Sequence, residues 1–434
     1  MKNLQTLATL LFFTAAGRTA NAQSATDTLH LSDLRSAAVA RDARASEIEL
    51  LAAQSYLRLK SINADRLPAL TTEGNAQYQS DVARVPISLP GVTIPTPPHD
   101  TYDAHLDAQQ RIYDPSLSPR RAAERAQLAE SQARVRTALY GLTESTNAAF
   151  YTALRAQEAT VQLQTDVTDI EAQLAVAIAR VNAGTALESE ANILRAELLR
   201  RRQSVAQQQA TRRAAFAVLS NLTGRPIDST AFLVSPELAA QADSAKIAFA
   251  SMRARPEYEQ FARSREVLER LDETQSAQTK PKISAFGRVG YGRPGLNPLS
   301  NQFDRYWLGG VQVQWSPWNW GARNRDREVN ALQRKIVNAE ERAFGDQLNR
   351  TVQQDIANID RLRTALSEDE QIVALREKIL NETRIRYKEA VITSAEFVDR
   401  QTDLLAARLN RAIHRVELSE THAHLLTTLG TEVR

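Results

Sequence analysis

Proline is missing from two stretches of more than a hundred residues, Arg120 to Arg225 and Trp318 to Arg434, in a chain of 434 residues that holds fifteen. Proline inside a helix removes a backbone hydrogen bond and clashes with the preceding turn. Each stretch is therefore free to form very long helices. Each also follows a short segment of alternating residues punctuated by glycine and proline. The chain reads as one unit, strands followed by long helices, written twice.

Within the first stretch the apolar positions Leu163, Val167, Ile170, Leu174, Ile178 and Val181 are spaced by fours and threes, the spacing of a coiled-coil seam. Leu187, Ala191, Leu194, Leu198 and Val205 continue it on a return arm. A helix from Pro119 to about Asn182 would be about 95 Å long at the usual rise, too long for an ordinary globular core. The second stretch copies the first at an offset of 206 residues: Arg180 matches Arg386, Glu197 matches Asp403, Leu219 matches Leu425 and Gly224 matches Gly430. This is an internal duplication. It predicts a first repeat over residues 23–224, a different inter-repeat segment over 225–252, and a second repeat over 253–434. Ahead of the first strand, a helix is expected from Leu31 to about Asn63, capped by Ser32-Asp33 and ended before Pro68.

The strands come in two hairpins, expected at 69–79 and 101–112, then at 283–291 and 305–316. Tyr102, Ala104, Leu106 and Ala108 alternate with Asp103, His105, Asp107 and Gln109. In the last strand Trp307, Val311, Val313 and Trp315 oppose Asp304, Gln312 and Gln314. Trp307 and Trp315 would lie about 26 Å apart, near the height of an outer-membrane apolar band. With Tyr78, Tyr102 and Tyr291 they are candidates for an aromatic girdle. A half-buried soluble sheet would alternate in the same way.

Residues 1–22 have the pattern of a secretory signal peptide: Lys2, an apolar run from Leu4 to Ala16, and Ala20-Asn21-Ala22 ahead of Gln23. No other segment has the apolar length of a transmembrane helix. The absence of cysteine excludes disulfides, thiolate metal sites and a lipid-modified N-terminal cysteine. The chain carries 54 Lys and Arg against 51 Asp and Glu. Losing Lys2 and Arg18 with the signal brings the charge close to neutral, so no nucleic-acid partner is expected. An enzyme is not expected either: there is no phosphate-binding glycine loop and no G-x-S-x-G elbow, and the six histidines read as single surface residues. Neither cofactor nor metal is predicted.

Four strands cannot seal a bilayer alone, because open edges would leave backbone groups unpaired in hydrocarbon. A dimer would give an eight-stranded barrel filled by side chains, and a trimer a twelve-stranded one with room for a channel. Over its whole mature length the sequence resembles the TolC-type outer-membrane efflux channels. The resemblance is carried by the duplicated hairpins, Leu67-Pro68 before the first strand, Arg255-Pro256-Glu257, the turn Arg180-Val181-Asn182-Ala183-Gly184, and the ends Leu222-Thr223-Gly224 and Leu429-Gly430. It implies a fold that is mainly α with membrane β: long antiparallel helical hairpins forming an α-barrel tunnel, plus four strands per chain in a trimeric twelve-stranded outer-membrane barrel. It further implies a homotrimer in the outer membrane with a long periplasmic extension, serving as exit duct for a periplasmic adaptor and an inner-membrane pump. The rival class is a periplasmic adaptor or coiled-coil scaffold without a channel.

The same resemblance assigns residues. Arg180, Gly184, Arg386 and Ala390 would form adaptor-contacting tips. Glu396 and Asp399 would ring the periplasmic aperture, while Tyr387, Ser189 and Glu190 would link neighbouring hairpins and hold it shut. Two departures stand out. Ala390 occupies a position where glycine is usual, so the second turn is expected to be tighter or more helical. Ile392 stands where a latching arginine is expected.

Overall fold

A computed structural model describes residues 28–83, 91, 96–247 and 253–431. The expected signal peptide, much of the proline-rich loop between the first two strands, and residues 248–252 at the end of the inter-repeat segment lie outside them. The chain opens with a two-residue strand β1 (Thr28–Leu29), then α1 (Leu31–Arg41) and α2 (Arg44–Ala64). The single helix expected over Leu31–Asn63 is thus two. Asp42 breaks it: its backbone is extended, and its carboxylate accepts hydrogen bonds from the Arg44 amide at 2.8 Å and from the Arg44 guanidinium. The cap also moves, since the N-terminal flanking residue is His30 and neither Ser32 nor Asp33.

The first hairpin is β2 (Ala69–Tyr78) and β3 (Asp100–Tyr113), and the helices that follow are α3 (Leu117–Asn182) and α4 (Glu188–Thr223). After β4 (Phe232–Leu233), α5 (Ala239–Ile247) and α6 (Pro256–Ala277) the pattern repeats. It runs through β5 (Lys282–Arg293), β6 (Asp304–Gln314), α7 (Ala322–Lys388) and α8 (Ser394–Leu429). The long arms α3 and α7 have 66 and 67 residues, about 100 Å each at 1.5 Å per residue. Among the described residues no helix is long and apolar enough to cross a membrane.

Strands β2, β3, β5 and β6 form one antiparallel sheet in that order. Its register puts Thr72, Leu106, Val289 and Trp307 in one row. Side chains alternate across a strand, so this row and the residues two and four positions from it along each strand share a face. Leu70, Leu106, Val289, Tyr291, Trp307, Val311 and Val313 stand exposed on it. The opposite face carries Glu73, Asp103, His105, Asp107, Arg288 and Gln312. Strands β2 and β6 have one neighbour each, leaving two open edges.

The largest core sits where the two repeats meet. Leu31 and Leu34 of α1, Phe150 and Tyr151 of α3, Phe216 and Leu219 of α4, and Leu425 and Leu426 of α8 are buried together. Part of the inter-repeat segment belongs to this core through Leu233, Leu238 and Ala242. There β1 pairs in parallel with β4, a pairing absent from the sequence reading. Gln157 of α3 brackets β4, its amide donating to the Leu233 carbonyl (3.1 Å) and its oxygen accepting from the Leu233 N–H (3.0 Å). Arg255 packs its guanidinium against the rings of Tyr140 and Phe344, 5.0 and 5.4 Å from their centroids, and Pro256 opens α6.

Candidate functional site: the paired hairpin tips

The turn between α3 and α4 closes on Gly184, in the left-handed region at φ 70°. The Gly184 N–H bonds to the Val181 carbonyl and the Thr185 N–H to the Arg180 carbonyl, both at 2.9 Å. The turn between α7 and α8 is not tighter or more helical, contrary to expectation. Ala390 takes the same left-handed conformation at φ 55°, and its bonds are the same ones moved by 206 positions, Ala390 to Tyr387 and Val391 to Arg386. Two hydrogen bonds and the continuing helices hold alanine where its Cβ is disfavoured by about 1–2 kcal/mol. Ala390→Gly is therefore expected to stabilise the second hairpin by about 0.5–1 kcal/mol, and Gly184→Ala to destabilise the first by at least as much. Thermal unfolding of the two variants checks the opposite signs.

The two tips are joined within the chain. Tyr387 is buried, its ring stacked on Phe397 at 5.1 Å and its hydroxyl 3.0 Å from the Ser394 hydroxyl. The Arg180 guanidinium reaches across from the first hairpin to lie over the Tyr387 ring and donates to the carbonyls of Tyr387 (2.9 Å) and Lys388. In return, the Glu190 carboxylate accepts from the Ser394 N–H at 2.6 Å. An anion there also suits the positive end of α8. Around this lies a second apolar cluster containing Leu194, Leu380, Phe397 and Leu404, with Ile392 packed against it.

Of the residues assigned by resemblance, the structure brings Tyr387, Glu190 and Arg180 together. Ser189 is exposed and makes none of these contacts within the chain. Ile392 is an apolar packing residue, and at the tips Arg180, expected to contact an adaptor, also links the two hairpins. The available signal was Arg180 itself, since it precedes a helix end whose carbonyls need donors, but the partner carbonyls lie more than 200 residues away. Arg386 is exposed. So are Glu396 and Asp399, one turn apart on the same side of α8. Glu396 is also the third residue of a helix capped by Thr393, whose hydroxyl accepts from the Glu396 N–H at 3.3 Å. Leu187, expected in the seam, instead flanks the start of α4 and is 73% exposed.

A further buried polar network ties the hairpins a few turns away from the tips. Arg201 of α4 donates to Asp166 of α3 (2.8 Å) and to Thr402 of α8 (2.8 Å), and pairs with Glu197 (2.6 Å). Gln401 of α8 donates to the other Asp166 oxygen at 3.0 Å. Burial pushes the Asp166 carboxyl above the ordinary carboxylate range despite the guanidinium beside it.

The candidate girdle residues Trp307, Trp315, Tyr78, Tyr102 and Tyr291 are all exposed, and Phe303 lies between the Tyr102 and Tyr291 rings. Trp318 and Trp320, not singled out from sequence, are exposed beyond the far end of β6 and meet edge to face. The histidines are not simply surface residues. His105 and His422 are buried, while His414 and His424 bond to Asp369 (2.7 Å) and Asp355 (2.8 Å).

No protein-family model and no curated protein matches the chain in sequence. Solved structures do match in shape. The outer membrane protein VceC of Vibrio cholerae superposes with a TM-score of 0.67 at 14% identity, covering 93% of this chain and 97% of that one. The open state of the Neisseria gonorrhoeae MtrE outer membrane channel gives 0.65 at 18% identity over 93% and 89%. CusC, whose structures follow transmembrane channel formation, gives 0.67 at 16% identity over 93% and 92%. The chain has the fold of the TolC-type outer-membrane efflux channels.

Proposed function

We propose that this protein is the outer-membrane exit duct of a tripartite efflux or secretion system, working as a homotrimer. The observation that carries the reading is the four-stranded sheet, with an exposed apolar face and two open edges, continued by helical hairpins about 100 Å long. Joining β6 of one copy to β2 of the next would close a twelve-stranded barrel with no edge left in hydrocarbon. Such a barrel has its apolar face to lipid and its polar face to the lumen, and its helices extend into the periplasm. The two tips then meet an adaptor that leads to an inner-membrane pump. The apolar side chains of Leu187, Ile385 and Val391, exposed near the tips, support that contact, with Gly184, Ala390, Arg386 and the outer edge of Arg180 beside them. An adaptor or scaffold would have no use for an exposed apolar sheet joined to two hairpins.

Glu396 and Asp399 line the periplasmic aperture in this reading, three copies of each. Carboxylate rings in a narrow mouth attract cations and repel anions. Native mass spectrometry in mild detergent should show three chains, and single channels in planar bilayers should prefer cations. Glu396→Gln with Asp399→Asn should abolish that preference and leave the trimer intact. Monomers in detergent would overturn the barrel; unchanged selectivity would return the two acids to an ordinary solvated helix face.

A further inference from the structure

The polar face of the sheet holds a cluster that the duct does not require. Asp103, His105 and Asp107 alternate onto one face of β3, and Glu73 of β2 is the direct ladder partner of His105. The His105 residue is only 8% exposed. Its Nδ1 is hydrogen bonded to the Asp103 carboxylate. A neutral imidazole has one donor and one acceptor nitrogen, so a carboxylate at Nδ1 selects the tautomer with its lone pair on Nε2. That Nε2 is buried and makes no hydrogen bond. It faces Asp107 Oδ2 at 3.3 Å and Glu73 Oε2 at 3.5 Å. A lone pair opposed to two carboxylate oxygens is repulsive, and either a proton on that nitrogen or a metal cation among the three atoms relieves it.

The spacing suits a particular cation. A tetrahedral ion with bonds of about 2.1 Å to nitrogen and oxygen separates its ligand atoms by about 3.4 Å, close to both of these gaps. One ligand atom from each of Glu73, His105 and Asp107 can be drawn within 4.8 Å of the others. The charge fits as well. Three carboxylates stand against one guanidinium, Arg288, which holds Asp107 through bonds of 2.6 and 2.9 Å. With a neutral imidazole two negative charges remain, which one divalent ion would balance. Asp103 is itself anchored by the Tyr306 hydroxyl at 2.6 Å. The Tyr306 ring reaches it by crossing Gly290, where a Cβ would come within 2.4 Å of the ring.

We propose that Glu73, His105 and Asp107 form a site for a divalent transition-metal ion of the zinc class, with water in the fourth position and Asp103 as the positioning residue behind the histidine. One nitrogen and two carboxylate oxygens favour such borderline ions over calcium or magnesium. The ion would clasp β2, an open edge of the sheet, to β3. Placing it on a lumen wall rests on the barrel reading; the site itself lies within one protomer and does not.

The test uses the full mature chain in detergent, with any affinity tag removed and metal stripped by chelator, titrated with zinc by calorimetry at about pH 7.5, since metal binding displaces protons from its ligands. One ion per chain is expected from the wild type. His105→Gln should lose at least about 100-fold in affinity, and Asp103→Asn about 10–100-fold, as for other carboxylates behind metal-bound histidines. Cobalt substitution gives a second readout: the wild type should show the visible bands of a tetrahedral site, and Glu73→Gln, altered at a solvent-facing side chain, should change them. His414→Gln should leave both unchanged. Absence of zinc binding by the wild type would overturn the proposal and make His105 an imidazolium paired with its carboxylates. Undiminished binding by both His105→Gln and Glu73→Gln would overturn it equally. Neither result bears on channel conductance, so failure here is separable from failure of the duct reading.

Discussion

Arg201→Met is expected to destabilise the helical hairpins by about 3–5 kcal/mol, the usual cost of stripping one partner from a buried ion pair. Arg201, Asp166 and Glu197 are all buried, and the guanidinium is shared between both carboxylates and Thr402. Methionine fills the volume of the stem but leaves two acids facing an apolar wall. The sign of the pH dependence follows from Asp166. Its folded pKa is raised by burial, and losing the cation raises it further. A raised carboxyl is easiest to accommodate when protonated, so the penalty should be largest near neutral pH and shrink as pH falls through that raised value. Denaturant unfolding of both proteins at neutral and acid pH measures it. Replacing Asp166 and Glu197 by leucine in the same chain should recover most of the loss, as fully apolar replacements of buried ion pairs often do. An undiminished stability in Arg201→Met alone would mean that water reaches the network.

Val311→Arg is the second large effect. Val311 lies midway between Trp307 and Trp315 on the exposed apolar face, which in a barrel is mid-membrane depth. An arginine there should cost about 2–4 kcal/mol per chain, and a trimer carries three. Folding into lipid vesicles, followed by the heat-resistant trimer band, should fall sharply. Gln312→Arg, one residue along and pointing to the opposite face, should fold nearly as the wild type does. Equal behaviour of the two variants would place both faces in water and remove the basis of the barrel.

The long helices and the sheet were legible because their signals are local. The proline gaps bound α3 and α4 on one side and α7 and α8 on the other within a few residues, and alternation alone puts Leu106, Val289 and Trp307 on the same face as their register does. What could not be read depends on residues far apart in the chain. Strand β4 exists because Gln157 and β1 complete its hydrogen bonds, and two residues have no periodicity to detect. The break at Asp42 is local but small, one carboxylate capping one amide, and it leaves the apolar spacing around it unchanged. At the tips, family resemblance pointed to the neighbourhood of Tyr387 and Glu190 but named no cation between the hairpins. Position 392 is tested by its own residue, whereas Arg180 acts on carbonyls of the other repeat. His105 looked isolated because its carboxylates are two residues away on β3 or across the ladder on β2.

The duplication is faithful in backbone and unfaithful in side chains, and that difference has a mechanical meaning. Where the second repeat has Tyr387 and Phe397 stacked, the first has Val181 and Ala191. Within a chain, Arg180 finds an aromatic ring to rest on; in the proposed trimer its counterpart Arg386, set by the same geometry against the first repeat of a neighbouring copy, would find only valine. A closed ring of six near-identical hairpins would therefore alternate three firm joints inside subunits with three softer ones between them. Strain applied to such a ring parts the soft joints first. The mouth would widen as three paired blades moving apart, with three-fold rather than six-fold symmetry, and each subunit's own tips would stay locked together throughout.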